Sequence, residues 1–430
     1  VIFAVFNGSG FASALIQAES VTDKEIAQVF GVMLLLNGIL AAIQWFAAPF
    51  AAVHFNQPVI ADMVRVMALS YLAMPLIYVP SAILSRGLDF KRQAIANFTA
   101  ALASAITALT CALSGLGVWT LVITPLVMFY VRGIGLMIAA RLWIIPRFDF
   151  RGMRATVAFG GALTVCQILW VIQSQADIAI AGRRFDPYHL GLYFEALFLA
   201  QILTSKFIPP LNEVAFPSYV ELHNRGTGIA TAFISTVRLT MFVAAPIYLG
   251  MAATAGPLIE TLFGPKWLEM IPFVQLLALA MPFFALQVIF SPATNAMGKP
   301  GIYVKSSLAG ALIMPAAFLI GIQQSPIGLG YAWLAGAPLL LLFTMLLSLP
   351  TIGARARDIM RAVAPSAVAA AIMAATVLFA EMQFLSALSA PARLVLLVPL
   401  GAAVYIGLSW RFQRHTIDDL IGFVRKRKTH

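Results

Sequence analysis

Gly328-Leu329-Gly330-Tyr331-Ala332-Trp333-Leu334-Ala335-Gly336-Ala337-Pro338-Leu339-Leu340-Leu341-Leu342-Phe343-Thr344-Met345-Leu346-Leu347-Ser348-Leu349 contains no charged side chain. A helix of about 20 mostly apolar residues crosses the roughly 30 Å hydrocarbon layer of a bilayer, and this stretch is long enough to do so. Comparable stretches lie at 26–53, 64–84, 93–113, 118–140, 157–180, 190–210, 229–251, 271–295, 304–322, 363–381 and 392–410, preceded by an apolar fragment at 1–17. Several contain prolines, among them Pro75, Pro80, Pro125, Pro246 and Pro282, which a helical bundle tolerates as kinks because neighbouring groups satisfy the freed backbone. Composition agrees: 61% of the 430 residues are hydrophobic and 10% charged, against about 45–50% and about 25% in soluble domains. A soluble enzyme is excluded, and the expected fold class is an all-α, polytopic membrane protein.

The net charge of +11 is first a matter of topology. Alternate loops hold Lys24; Arg86, Lys91 and Arg92; Arg141, Arg147, Arg151 and Arg154; Arg225; Lys299 and Lys305; Arg355, Arg357 and Arg361; and the basic tail, whereas the opposite loops hold only Arg183, Arg184 and Lys266. The positive-inside rule makes the first side, and the C-terminus, cytoplasmic. Nucleic acid is not an expected partner. The tail cluster Arg425-Lys426-Arg427-Lys428 suits anionic inner-leaflet lipids, or serves as a plain topology anchor. Cys111 and Cys166 fall in apolar stretches, no GxxxxGK[ST] loop occurs, and the five histidines are scattered over loops and the tail without HExxH spacing. No cofactor, no metal and no catalytic constellation are expected.

Outward from 328–349 a repeat appears. Gly328-Leu329-Gly330 followed by Trp333 matches Gly115-Leu116-Gly117 followed by Trp119; Gly256-Pro257-Leu258 with Phe263 matches Ala48-Pro49-Phe50 with Phe55; Met297-Gly298 matches Arg86-Gly87. Both copies run in one direction, which predicts two pseudo-symmetric helical lobes around a central cavity, followed by a C-terminal helix pair. The expected division is 1–150, 151–350 and 351–430. Spans 157–180 and 190–210 have no partner in the first copy, so the reading expects an N-terminally truncated chain that lacks one whole helix and most of a second, with 1–17 the remnant of the second. The opening Val1-Ile2-Phe3 lacks the charged start of a signal peptide.

Three further motifs carry a family resemblance: Ile83-Leu84-Ser85-Arg86-Gly87-Leu88-Asp89-Phe90-Lys91-Arg92, Asp177-Ile178-Ala179-Ile180-Ala181-Gly182 continuing to Leu190-Gly191-Leu192-Tyr193, and Leu262-Phe263-Gly264-Pro265-Lys266-Trp267. With Gly10-Phe11-Ala12-Ser13-Ala14-Leu15-Ile16-Gln17 and the Gly115 motif, their order resembles the oligosaccharide flippase (polysaccharide transporter, Wzx-like) branch of the multidrug/oligosaccharidyl-lipid/polysaccharide exporter superfamily. The resemblance implies a multi-pass protein of the bacterial inner membrane. It would flip undecaprenyl-diphosphate-linked oligosaccharide units for O-antigen, capsule or exopolysaccharide synthesis, with a polysaccharide polymerase and glycosyltransferases as partners.

Such a cargo needs a polar, cationic route. Intramembrane charges cost about 2.5–3.5 kcal/mol on insertion scales, so each calls for a role. Arg132 sits roughly 12 Å from its helix end, farther than it snorkels comfortably, and Arg238 shares a helix face with Thr231 and Ser235. Both are candidate diphosphate contacts, because guanidinium forks match phosphate oxygens; a structural ion pair is the alternative. Gln167, Trp170, Gln173, Ser174 and Asp177 share one face and are expected to line the cavity, unless that face packs on another helix or Asp177 pairs with Arg183 or Arg184. Glu195 and Lys206 share a face near opposite membrane surfaces; Glu195 is a candidate coupling carboxylate, and Lys206 is within reach of the cytoplasm. Competing readings are a lipid II flippase, a cation-coupled drug exporter of the same superfamily, and a membrane polymerase or ligase. The basic excess within the spans opposes the exporter, and the short outer loops 114–117, 181–189, 323–327 and 252–270 oppose an enzyme.

Overall fold

The computed structural model describes residues 15, 22–87, 89–143, 145–149, 169, 171–323, 325–385 and 388–414. Among them, eleven helices are long and apolar enough to cross a membrane. The expected span 157–180 falls largely outside the described residues, though 171–184 are helical. The fragment 1–17, Cys166 and the basic tail also lie outside them, apart from Leu15. The chain divides into two compact units, Val1–Gln175 and Ala176–His430.

In the first unit α1 (Asp23–Phe55) begins at a reciprocal cap: the Thr22 hydroxyl accepts the Glu25 amide, and the Glu25 carboxylate accepts the Thr22 amide. It ends at Asn56, which takes a left-handed φ of 53°. The span expected at 64–84 starts earlier, as α2 (Val59–Ala68) and α3 (Ser70–Arg86) parted at Leu69, whose carbonyl accepts the Tyr130 hydroxyl at 2.8 Å. Asp89 caps α4 (Phe90–Leu113) by accepting the Arg92 amide; a 3-10 turn at Gly117–Trp119 leads into α5 (Thr120–Ala140). Helix α1 packs on α3, α3 on α5 and α4 on α5. Gly133 lets α5 approach α3, where a Cβ would stand 2.9 Å from the Leu76 Cβ.

The second unit contains the end of the helix at 171–184, here α6, then α7 (Pro187–Asn224), α8 (Ala230–Ala253), α9 (Ala255–Leu262), a 3-10 segment at Pro265–Met270, α10 (Ile271–Val288), α11 (Phe290–Ala296), α12 (Pro300–Gly321), α13 (Gly328–Ile352), α14 (Ala356–Ala380) and α15 (Ala390–Phe412). Its contacts repeat those of the first unit: α8 packs on α10, α10 on α13 and α12 on α13. The left-handed backbone recurs in step, at Asn56 and Gly264 and again at Arg141 and Gly353. The added helices α14 and α15 pack on α8 and α9.

Two sequence expectations are corrected. Residues 252–270 are α9 and a 3-10 segment, not an open loop, because they correspond to the end of α1 around Pro49. Helix α7 does not stop near 210; it continues through Pro209, Pro210 and Pro217 to Asn224. Each proline removes one backbone donor, but the extension is held by tertiary contact: Tyr219 is buried and donates its hydroxyl to Thr236 of α8 at 2.6 Å. At 38 residues, α7 is about 57 Å long at 1.5 Å per residue, longer than the hydrocarbon layer is thick.

The start of α7 is sensitive to acid. Asp186 accepts the His189 amide at 2.8 Å and faces the His189 ring nitrogen at the same distance, and these contacts, the amide foremost, hold its carboxyl below the usual carboxylate range. A depressed carboxyl stabilises the fold above its unfolded value, about pH 3.9, and that contribution fades as pH falls through the lower folded value. Asp186→Ala should therefore melt below the parent at neutral pH, with the gap closing below about pH 4. A gap that persisted unchanged into acid would show that the cap acts without its charge.

Candidate substrate-binding site

Helix α6 carries Asp177 into the interior of the second unit, where it is fully buried. Tyr193 of α7 donates its hydroxyl to Asp177 Oδ2 at 2.5 Å. The indole Nε1–H of Trp333, on α13, lies 3.2 Å from the same oxygen and 2.9 Å from Tyr193 Oη, while Oδ1 accepts the Ile178 amide at 2.8 Å. The Trp333 ring is held by Phe284 and Phe318, each with its centroid 5.6 Å away. Among the described residues Asp177 has no cation partner, and Arg183 and Arg184 are exposed. The carboxylate is satisfied by neutral donors and ties three helices together, as a buried polar group requires. Gln173 and Ser174, on the same helix, are buried too; Gln167 and Trp170 lie outside the described residues.

The arginines behave differently. Arg132 on α5 is half-buried, and its Nε has no hydrogen-bond partner among the described residues. On α8, Thr231, Ser235 and Arg238 share one face at the i, i+4, i+7 spacing and open onto a cavity of about 690 Å³. Arg361 and Pro365 of α14 and Phe412, Gln413 and Arg414 at the end of α15 complete it. Neither Arg132, Arg238, Arg361 nor Arg414 is ion-paired with a carboxylate among the described residues. By contrast Arg393 at the other end of α15 is paired, 3.0 Å from Glu260 and 3.4 Å from Glu381. Glu195 is half-buried on α7 and Lys206 exposed, with no ion pair to each other. The structure thus gathers Arg238 with two arginines that sequence reading assigned to topology, and places Asp177 elsewhere in the same unit. Tyr193 and Trp333 stand inside quoted motifs, but nothing in their spacing announced a shared partner. Among the described residues no group of three or more His, Cys, Asp or Glu side chains is arranged to hold a metal ion.

A sequence profile described as "Polysaccharide biosynthesis protein" matches residues 1–272. The chain belongs to the polysaccharide biosynthesis protein family. Among similar proteins, the teichuronic acid biosynthesis protein TuaB of Bacillus subtilis is 23% identical over 332 residues, covering 75% of this chain and 67% of TuaB. The succinoglycan biosynthesis transport protein ExoT of Rhizobium meliloti is 25% identical over 77% of this chain and 67% of its own length. The lipopolysaccharide biosynthesis protein WzxC of Escherichia coli is 21% identical over 62% of this chain and 55% of its own. Among solved structures, the lipid II flippase MurJ in an inward closed conformation superposes with a TM-score of 0.80 over 97% of this chain and 90% of MurJ, at 15% identity. An inward-facing multidrug MATE transporter superposes at 0.59, over 82% of this chain and 87% of its own, at 13% identity. At such identities the likeness establishes only the fold of this polysaccharide biosynthesis protein, a polytopic all-α architecture.

Proposed function

We propose that this protein flips undecaprenyl-diphosphate-linked oligosaccharide units across the bacterial inner membrane for surface polysaccharide assembly. The family match over residues 1–272 carries this reading. Relatives named for teichuronic acid, succinoglycan and lipopolysaccharide synthesis, one of them a transport protein, support it. In this reading the protein is a carrier and not an enzyme, its C-terminus is cytoplasmic, and glycosyltransferases and a polymerase of the pathway supply and consume its cargo. Guanidinium groups on α5 and α8 that have no carboxylate partner among the described residues favour an anionic cargo over the cationic drugs of an exporter.

The test is reconstitution in liposomes with a fluorescent diphosphate-linked oligosaccharide, whose movement between leaflets is read by quenching from outside. Arg132→Ala and Arg238→Ala should each slow it by about tenfold or more, the worth of a lost charge-assisted contact. Rates no faster than in protein-free liposomes would end the proposal. Full activity in both variants would take these arginines off the path.

A further inference from the structure

The cavity between α8, α14 and α15 adds to Arg238, Thr231 and Ser235 residues that the transport reading does not assign. Three guanidinium groups, Arg238, Arg361 and Arg414, line it with Thr231 and Ser235, and among the described residues no carboxylate does. The nearest acid along α14, Asp358, is engaged in accepting the Arg355 amide at 3.1 Å. Arg414 Nε is spent on the Trp410 carbonyl at 3.2 Å, which leaves its two terminal nitrogens to point elsewhere. Gln413, another lining residue, is 6% exposed; its carbonyl oxygen accepts the Ser366 hydroxyl at 2.8 Å, but its Nε2 donor has no partner among the described residues. Arg361 and Arg414 are exposed and Arg238 is half-buried, so accessible guanidinium donors and the unpartnered Gln413 amide together match an anion rich in oxygen acceptors.

The position of the cavity narrows the ligand further. It lies where α8 and α14 begin and α15 ends, so it opens at one end of the unit, and Met360, Trp410 and Phe412 are exposed apolar side chains on the same stretches of α14 and α15. An anionic head held by the arginines would place an attached hydrocarbon chain against those side chains. We infer that this cavity is a binding site for a lipid-borne phosphate or diphosphate head group, with Arg361 and Arg414 as its forks. The inference rests on the flippase reading only for the source of the ligand: the cargo lipid, or an anionic lipid of the surrounding leaflet.

The experiment measures binding apart from transport. The full chain in phosphatidylcholine nanodiscs is titrated with undecaprenyl diphosphate, with phosphatidylglycerol and with inorganic pyrophosphate. Arg361→Ala/Arg414→Ala, whose side chains are exposed and whose melting point should match the parent, is expected to weaken lipid binding by about tenfold or more. Arg361→Lys/Arg414→Lys should retain part of it, keeping the charge without the fork. Preference for undecaprenyl diphosphate assigns the site to cargo, and equal binding of phosphatidylglycerol assigns it to the bilayer; both support the site. Binding of all three probes unaltered in the double alanine variant overturns it. Arginine-dependent binding without transport would remove the flippase reading and leave the site standing. Transport with arginine-independent binding would do the reverse.

Discussion

Trp333→Ala should lower the detergent-solubilised protein's melting temperature more than any other single truncation in the second unit. The side chain is 1% exposed, and truncating a buried Trp costs about 3–5 kcal/mol through lost contacts and the void left behind. It also strips Asp177 of one of its two side-chain donors. Trp333→Phe helps to separate the two effects, since it keeps an aromatic ring between Phe284 and Phe318 while losing the Nε1–H, worth about 1 kcal/mol, and part of the indole's volume. The expected order is parent, then Phe, then Ala, with the larger step at Ala. Equal losses in both variants would mean that the hydrogen bonds, and not the packing, hold α6, α7 and α13 together.

Gly328→Val should produce the second large effect. Helices α12 and α13 cross so closely at Gly321 and Gly328 that a Cβ on either would overlap the other's carbonyl oxygen. Backbone cannot yield as a flexible side chain does, so the helices must part, at about 1–3 kcal/mol or more. The matching residue of the first repeat makes a control. Gly115 faces open space but takes a φ of 73°, so Gly115→Val suffers backbone strain alone, about 1–2 kcal/mol. Melting curves should place Gly328→Val below Gly115→Val, and the opposite order would discard the close crossing as the reason for glycine at 328.

These two glycines also show what the sequence could and could not disclose. Their shared Gly-Leu-Gly spacing revealed the repeat, and its packing order recurs in the structure, as do two of its left-handed positions, Asn56 with Gly264 and Arg141 with Gly353. The same letters nevertheless do different work, because one copy needs a positive φ and the other needs room for a carbonyl. The misread loop at 252–270 was decipherable: its partner residues around Pro49 lay within an expected span, and the alignment itself argued for helix. Hydropathy alone hid this, since Thr254, Gly256, Pro257 and Glu260 dilute the apolar signal. Arg238 was legible as a site residue because a charge deep in a helix stands out against hydrocarbon. Arg361 and Arg414 were not, because a cation at a helix end satisfies the positive-inside rule whatever it faces, and their meeting depends on how α14 and α15 fold back on α8.

The terminal pair is pinned to the second unit at two heights. Arg393 joins α15 to Glu260 and Glu381 near one end, and the Tyr405 hydroxyl donates to the Phe242 carbonyl of α8 at 2.9 Å farther along. Two anchors at different levels fix α15 against both α9 and α8, so the terminal pair is packed as part of the second unit. A reporter dye placed on Ser389 should therefore be held as firmly as one on α8, and a markedly looser signal at Ser389 would show that the two anchors do not hold the pair.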